Sequence, residues 1–139
     1  MLWITSQTRP DMAFQTCVMS NPGKKPTVQA LTDANKAVKS LKANDSFMLK
    51  YDNLGNPIEL SVAVYSDATH GSLPDDSFQG GYVAFVQVDQ KVAPLLWQSK
   101  KLKRVTISPL ASEAMELCEA ADAGVFLAIM VKKIYHLEE

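Results

Sequence analysis

The sequence lacks the features that mark membrane-spanning and secreted proteins. None of its apolar runs reaches the roughly 18 residues that a membrane-spanning helix needs. The first four residues, Met1 to Ile4, are mostly apolar, but they are too few for a signal peptide and no basic segment precedes them. These absences predict a protein without a membrane partner, located inside the cell rather than secreted.

The sequence is also poor in cysteine, histidine and net charge. It contains two cysteines and two histidines, and its formal net charge is -1. Cys17 and Cys118 lie far apart in apolar helical patterns, so we expect buried free thiols and no zinc site. Because the overall charge is close to zero, a surface for nucleic acid must be a local basic patch.

The length of the chain allows one domain and a small appendage. It has 139 residues, of which 47% are hydrophobic, so a core can form. The sequence starts abruptly on apolar residues, and residues 136–139 stop within a helical pattern that has no capping residue. We therefore expect a segment of a longer polypeptide.

Residues 1–45 have the pattern of two helices. Thr8, Pro10 and Asp11 are typical of a helix start, because threonine caps, proline fits the first turn and aspartate favours the positive helix end. After a loop rich in turn residues, Thr27 is the predicted cap of a second helix. Its apolar positions recur at helical spacing as far as Leu41.

From residue 46 onward the pattern becomes that of strands followed by a long helix. A short strand is predicted at residues 47–51, and residues 58–64 alternate between apolar and polar. Two more strands are predicted at residues 82–88 and 94–99, joined by a turn at residues 89–90. Strands so closely spaced favour an antiparallel meander. Ser108 and Pro109 then begin a helix that carries an apolar face through residues 111–135, which makes the fold mixed α/β.

Two carboxylates at the ends of these elements could form a metal site. Asp67 ends the first strand of the meander, and Glu113 falls in the predicted first turn of the last helix. Each also has a simpler structural explanation, as a turn residue or as a partner of the helix dipole. If the helix packs across the meander, the two carboxylates approach each other, and a divalent cation such as Mg²⁺ or Mn²⁺ would relieve their repulsion.

Five sequence blocks, in the same order, resemble those of copia-type retrotransposon polyproteins. They cover the end of the reverse transcriptase and the ribonuclease H domain. In this chain the blocks read SQTRPDMAF at residues 6–14, YSDA at 65–68, GGYV at 80–83, LWQSKK at 96–101 and SPLASEAMEL at 108–117. Each block alone is a weak signal, but five blocks in order form a specific one.

The resemblance implies a ribonuclease H that hydrolyses the RNA strand of RNA–DNA hybrids with divalent metal ions. The family holds two magnesium ions with four carboxylates; the first corresponds to Asp67 and the second to Glu113. The third and fourth belong to later elements, so we expect a ribonuclease H-like fold truncated before its later parallel strands. Residues 1–45 would be the thumb- or connection-like helical tail of the reverse transcriptase, and residues 46–139 an incomplete ribonuclease H domain.

The resemblance also suggests a partner surface and a location. Lys100, Lys101, Lys103 and Arg104 form one basic cluster, which by itself is equally consistent with a solvated loop. In a ribonuclease H it would contact the phosphates of an RNA–DNA hybrid. The other implied partner is the remainder of the Pol polyprotein, and the implied location is the cytoplasm, a virus-like particle or the nucleus.

Two other functions are compatible with the sequence. The first is a non-catalytic, connection-like scaffold or hybrid-binding module, which the absence of the later carboxylates favours. The second is a phosphotransferase of the haloacid-dehalogenase type that uses Asp67. That chemistry requires a second aspartate two residues further on, where this chain has Thr69.

Overall fold

The computed structural model describes residues 2–20, 27–51, 53–55, 60–69, 77–102 and 108–135. The chain divides into two compact units, Met1–Leu49 and Lys50–Glu139. The first unit is helical, whereas the second combines an antiparallel sheet with a long helix. The predicted mixed α/β fold, a three-stranded meander and a long helix preceded by helices, is confirmed.

The first unit contains one more helix than the sequence pattern predicts. Its elements are α1 (Leu2–Gln7), a 3-10 turn (Pro10–Met12), α2 (Ala13–Met19) and α3 (Val28–Ala43). Thr27 caps α3 as predicted, since its side chain accepts a hydrogen bond from the backbone N–H of Ala30. Thr8 was expected to cap α2, but its hydroxyl donates to the carbonyl of Ile4 and so closes α1 instead.

Arg9 ties the first unit together. Its guanidinium donates two hydrogen bonds to the carboxylate of Asp11, at 2.9 and 2.8 Å, and a third to the carbonyl of Asn44 at the end of α3. The same group lies 4.9 Å from the ring centre of Phe47. Because the backbone N–H of Phe47 also donates to Asn44, the chain turns at this point. The predicted strand at residues 47–51 is therefore wrong.

The sheet of the second unit is the predicted meander. Its strands are β1 (Ser61–Thr69), β2 (Gln79–Val88) and β3 (Lys91–Lys101), paired antiparallel in the order β1-β2-β3. Asp89 adopts a φ of 52° in the two-residue turn that joins β2 to β3, which matches the predicted turn. A bulge opposite Ala84 and Phe85 shifts the register of β3, and β3 is longer than the sequence indicated.

The long helix α4 (Pro109–Ile134) packs on one face of this sheet. It begins as predicted: Ser108 accepts a hydrogen bond from the backbone N–H of Ala111, and Pro109 occupies the first turn. One narrow stripe of the helix is buried, and it consists of Ser112, Glu116, Ala120, Gly124, Leu127 and Val131. The last two of these join Ala84 and Val86 of β2 in the hydrophobic core.

Gly124 allows α4 to lie close to β1. A Cβ atom at this position would lie 2.8 Å from Cγ2 of Val64, which is shorter than carbon atoms approach without moving. The glycine therefore brings the helix axis nearer to the strand than an alanine would permit. This close approach positions the first turns of α4 beside the end of β1.

The structure also describes the two cysteines and the apolar content of the helices. Cys17 and Cys118 do not form a disulfide, but Cys118 is exposed on α4 and Cys17 is half-buried, so the prediction of buried thiols is wrong. Within the described residues, no helix is both long enough and apolar enough to span a membrane.

We predict that α4 is held to the sheet mainly by its buried stripe. Val131→Ala should lower the free energy of unfolding by about 2 kcal/mol, because it removes buried methyl groups and leaves a cavity. Val125→Ala is the matched control on the same helix, since Val125 is 60% exposed, and it should change stability by less than about 0.5 kcal/mol. Urea unfolding measures both; equal losses would contradict the packing of α4 on the sheet.

Candidate functional site

Asp67 lies near the end of β1 and is exposed to solvent. It is paired with Gly81 of β2, and its Oδ1 accepts a hydrogen bond of 2.9 Å from the backbone N–H of Ala68. Side chains alternate along a strand, and Val64 faces α4, so the position of Asp67 is on the other face of the sheet. It nevertheless borders α4, because α4 packs mainly over β1, which is an edge strand of the sheet that the described residues form.

Glu113 lies on α4, one residue beyond its first turn. The first turn contains no acidic residue, so the prediction that Glu113 occupies it is wrong by a single position. Glu113 is exposed, as is Asp67. The interaction with the helix dipole is correspondingly weaker than at the helix start.

Asp67 and Glu113 line the same open depression at the edge of the sheet. Its volume is about 480 Å³, and its walls are formed by Ser66, Asp67, Leu110, Glu113, Ala114 and Leu117. The depression thus contains two carboxylates, one from the sheet and one from the helix, with apolar side chains beside them. Nowhere in the described part of the chain do three or more histidine, cysteine, aspartate or glutamate side chains group as a metal site would require.

The described part of the basic cluster lies at the end of β3. The Lys100 ammonium forms an ion pair with the carboxylate of Glu119 on α4, and Lys101 follows on the same strand. Both lysines line a second depression of about 640 Å³ between β3 and α4. Lys103 and Arg104 lie outside the described residues. The ion pair with Glu119 offsets part of the positive charge that the sequence suggested at Lys100.

Sequence reasoning missed Glu116, which is the buried carboxylate of α4. Its side chain is fully buried, and neither of its oxygens has a hydrogen-bond partner among the described residues. It lies over Gly80 of β2, where a Cβ atom would collide with its Oε2. The sequence carried a signal for this: Glu116 is four residues from both Ser112 and Ala120, in a row of otherwise small residues that pack on the sheet.

Burial changes the protonation of Glu116. It raises the pKa of this carboxyl above its ordinary value, while the positive charge of Lys100 opposes the increase. The pKa of the Tyr82 hydroxyl is also raised, first by burial and second by the negative charge of Glu116. A buried carboxylate without donors requires either a proton or a cation.

The chain is similar to one curated protein of Saccharomyces cerevisiae, "Putative transposon Ty5-1 protein YCL074W". The two are 32% identical over 123 residues, which is 88% of this chain and 37% of that protein. The chain thus spans little more than a third of the length of this relative. No protein-family model and no solved structure matches the chain. The similarity supports a transposon-related protein; the copia type and ribonuclease H activity stay predictions.

We predict that Glu116 makes stability depend on pH. Because its pKa is higher in the folded than in the unfolded chain, its contribution to stability is complete below the unfolded pKa and is lost as the pH rises through the folded pKa. The free energy of unfolding should therefore fall as the pH rises above about 4.5. Glu116→Gln should remove most of this fall, because glutamine stays neutral.

Urea unfolding across about pH 4 to pH 8 tests this prediction. Glu113→Gln is the matched control, since it changes an exposed carboxylate on the same helix and should leave the pH dependence intact. A wild-type stability that does not fall with pH, or equal slopes for wild type and Glu116→Gln, would show that Glu116 is solvated.

Proposed function

We propose that this chain is the ribonuclease H region of a retrotransposon reverse transcriptase. In this proposal it contributes to divalent-metal-dependent hydrolysis of the RNA strand of RNA–DNA hybrids, with Asp67 and Glu113 as ligands of Mg²⁺ or Mn²⁺. The observation that carries the proposal is that these two carboxylates, from β1 and α4, line one depression. Oxygen ligands without nitrogen or sulfur suit a hard cation.

The residues of the depression fit a weakly held magnesium ion. Two exposed carboxylates leave most of the coordination positions to water, which is how Mg²⁺ usually binds in proteins. When bound, one such ion would supply charge stabilisation at either the attacking or the leaving oxygen of the phosphate, and the other oxygen would need a second ion. Asp67 and Glu113 would hold it at the edge of the sheet.

The number of carboxylates limits what this chain does alone. Ribonuclease H chemistry uses two metal ions, and the depression has two carboxylates. We therefore expect hybrid cleavage by the isolated chain to be slow or absent. The third and fourth carboxylates would come from the remainder of the Pol polyprotein, and the similarity to a transposon protein supports that setting.

The substrate surface in this proposal is the end of β3. In this proposal Lys101 would contact a phosphate together with Lys103 and Arg104. The ammonium group of Lys100 already forms an ion pair with the carboxylate of Glu119. A phosphate contact there would have to replace that ion pair.

A second function is favoured by the same observation. With two carboxylates in the depression and no group of three among the described residues, the chain is also suited to a non-catalytic role. It would then be a connection-like scaffold or a hybrid-binding module of the polyprotein. Metal binding separates the two functions, because a scaffold has no need of a cation at Asp67 and Glu113.

We predict one weak divalent-cation site. Titration calorimetry with Mn²⁺ should show a single site whose affinity falls about tenfold or more in Asp67→Asn and in Glu113→Gln, because each variant removes one charged ligand. Asp33→Asn is the control, since Asp33 is an exposed carboxylate on α3. If Glu116→Gln abolishes binding and Glu113→Gln does not, then Glu116 is the helix ligand. Binding unaffected by Asp67→Asn would contradict the proposed site.

We also predict that Lys101 contributes to hybrid binding through a phosphate contact. Lys101→Ala should weaken binding of a labelled RNA–DNA hybrid and reduce the slope of log affinity against log salt by about 1. Lys100→Ala tests the second lysine, where a phosphate contact would have to replace the ion pair with Glu119. Fluorescence anisotropy at several salt concentrations measures both. Equal salt slopes for wild type and Lys101→Ala would contradict a phosphate contact.

A further inference from the structure

The position of Lys100 on β3 directs its side chain toward α4. Lys100 is paired with Gly80 of β2, and directly paired residues of neighbouring strands present their side chains on the same face of a sheet. That face is the one covered by α4, because a Cβ atom at Gly80 would collide with the carboxylate of Glu116. The Lys100 side chain therefore leaves the sheet beside α4, where it lines the depression of about 640 Å³ between β3 and α4.

Two carboxylates of α4 lie near the Lys100 ammonium. Glu116 is fully buried, and neither of its oxygens has a hydrogen-bond partner among the described residues. Burial raises the pKa of Glu116, and the positive charge of Lys100 opposes the increase, so the two groups interact. Glu119, about one helical turn further along, forms the ion pair with Lys100. The ammonium is thus paired with the exposed carboxylate rather than with the buried one.

The ion pair between Lys100 and Glu119 is accessible to a competing anion. The Lys100 side chain is 28% exposed, and the Glu119 side chain is 45% exposed. A partly exposed ion pair contributes little to stability, because water solvates both charges when they separate. Glu119 also lies outside the buried stripe of α4, so its side chain can turn away without disturbing the packing of the helix on the sheet.

Glu119 determines the charge of the depression between β3 and α4. The described residues that line it include two lysines, Lys100 and Lys101, and one carboxylate, that of Glu119. The remaining lining residues are neutral: Gln98, Leu102, Met115 and Cys118. When Glu119 turns away, the depression has two positive charges and no negative one. A phosphate group suits it, because phosphate and carboxylate oxygens accept the same charge-assisted hydrogen bonds from an ammonium group.

We propose that Glu119 occupies the place of a phosphate group: it binds Lys100 in the free chain and releases the ammonium to a backbone phosphate of an RNA–DNA hybrid. This inference rests on the proposed function, because it specifies how a lysine of the substrate surface is held before the hybrid binds. Glu119 is then a positioning residue that lowers the affinity for the hybrid. Because a partly exposed ion pair is weak, the expected effect on affinity is about threefold to fivefold.

The affinity of the full chain for a labelled RNA–DNA hybrid, measured by fluorescence anisotropy, tests the proposal. Glu119→Gln should tighten binding about threefold to fivefold, because no carboxylate has to leave Lys100. Asp122→Asn is the matched control: it removes the same charge from an exposed position of the same helix, and it should tighten binding less. Circular dichroism verifies that the variants are folded.

A Lys100→Ala background separates the ion pair from the general effect of charge. In that background Glu119→Gln should tighten binding no more than Asp122→Asn does, because the pair is already absent. Equal effects of Glu119→Gln and Asp122→Asn in the presence of Lys100 would overturn the proposal. A full effect of Glu119→Gln in the absence of Lys100 would overturn it as well.

Inorganic phosphate as a second probe distinguishes this inference from the proposed function. Phosphate should shift the backbone amide signals of Lys100 and Glu119 in NMR spectra, and it should do so at lower concentration in Glu119→Gln. Phosphate binding of this kind without hybrid binding would contradict the proposed function and leave the phosphate site standing. Hybrid binding that does not depend on Glu119 would contradict the inference and leave the proposed function standing. A chain that binds neither probe would contradict both.

Discussion

The arrangement of the second unit depends on how closely α4 approaches the sheet. Gly124 removes the side chain that would otherwise collide with Val64, and Gly80 leaves the space that the Glu116 side chain fills. With the helix this near, Leu127 and Val131 reach Ala84 and Val86 and complete the core. The start of α4 is thereby held beside the end of β1, which brings Glu113 to the depression that Asp67 also lines.

The same close approach explains why one carboxylate of α4 is buried and another is not. Glu113 and Glu116 are three residues apart, so their side chains leave the helix in directions that differ by about 60° around its axis. Glu116 belongs to the stripe that faces the sheet, and Glu113 faces the open edge of β1. Burial of Glu116 without hydrogen-bond donors is unfavourable for stability, as is common for groups that serve a function rather than the fold.

Much of the fold follows from local sequence signals. The alternation before Tyr65, the turn at Asp89 and the cap at Ser108 each act over a few residues. The turn and the cap are confirmed. The strand predicted at residues 58–64 is observed at Ser61–Thr69, and residues 58 and 59 lie outside the described residues. Interactions between distant residues explain the failures. Phe47 does not start a strand because Arg9, far away in the sequence, holds it, and Glu116 was missed because its burial depends on a glycine of β2. The sequence predicts Asp67 and Glu113 as candidate metal ligands, but no local sequence signal indicates whether they bind a metal ion.

The central claim is that the end of β1 and the start of α4 form one divalent-cation site. Paramagnetic broadening of backbone amide signals by substoichiometric Mn²⁺ tests it most directly, because the effect reports distance from the ion without requiring activity. We expect the strongest broadening at the amides of Asp67, Ala68 and Ala114, and little at the β2–β3 turn around Asp89. Broadening centred on the ion pair of Lys100 and Glu119, or no localised broadening, would contradict the account.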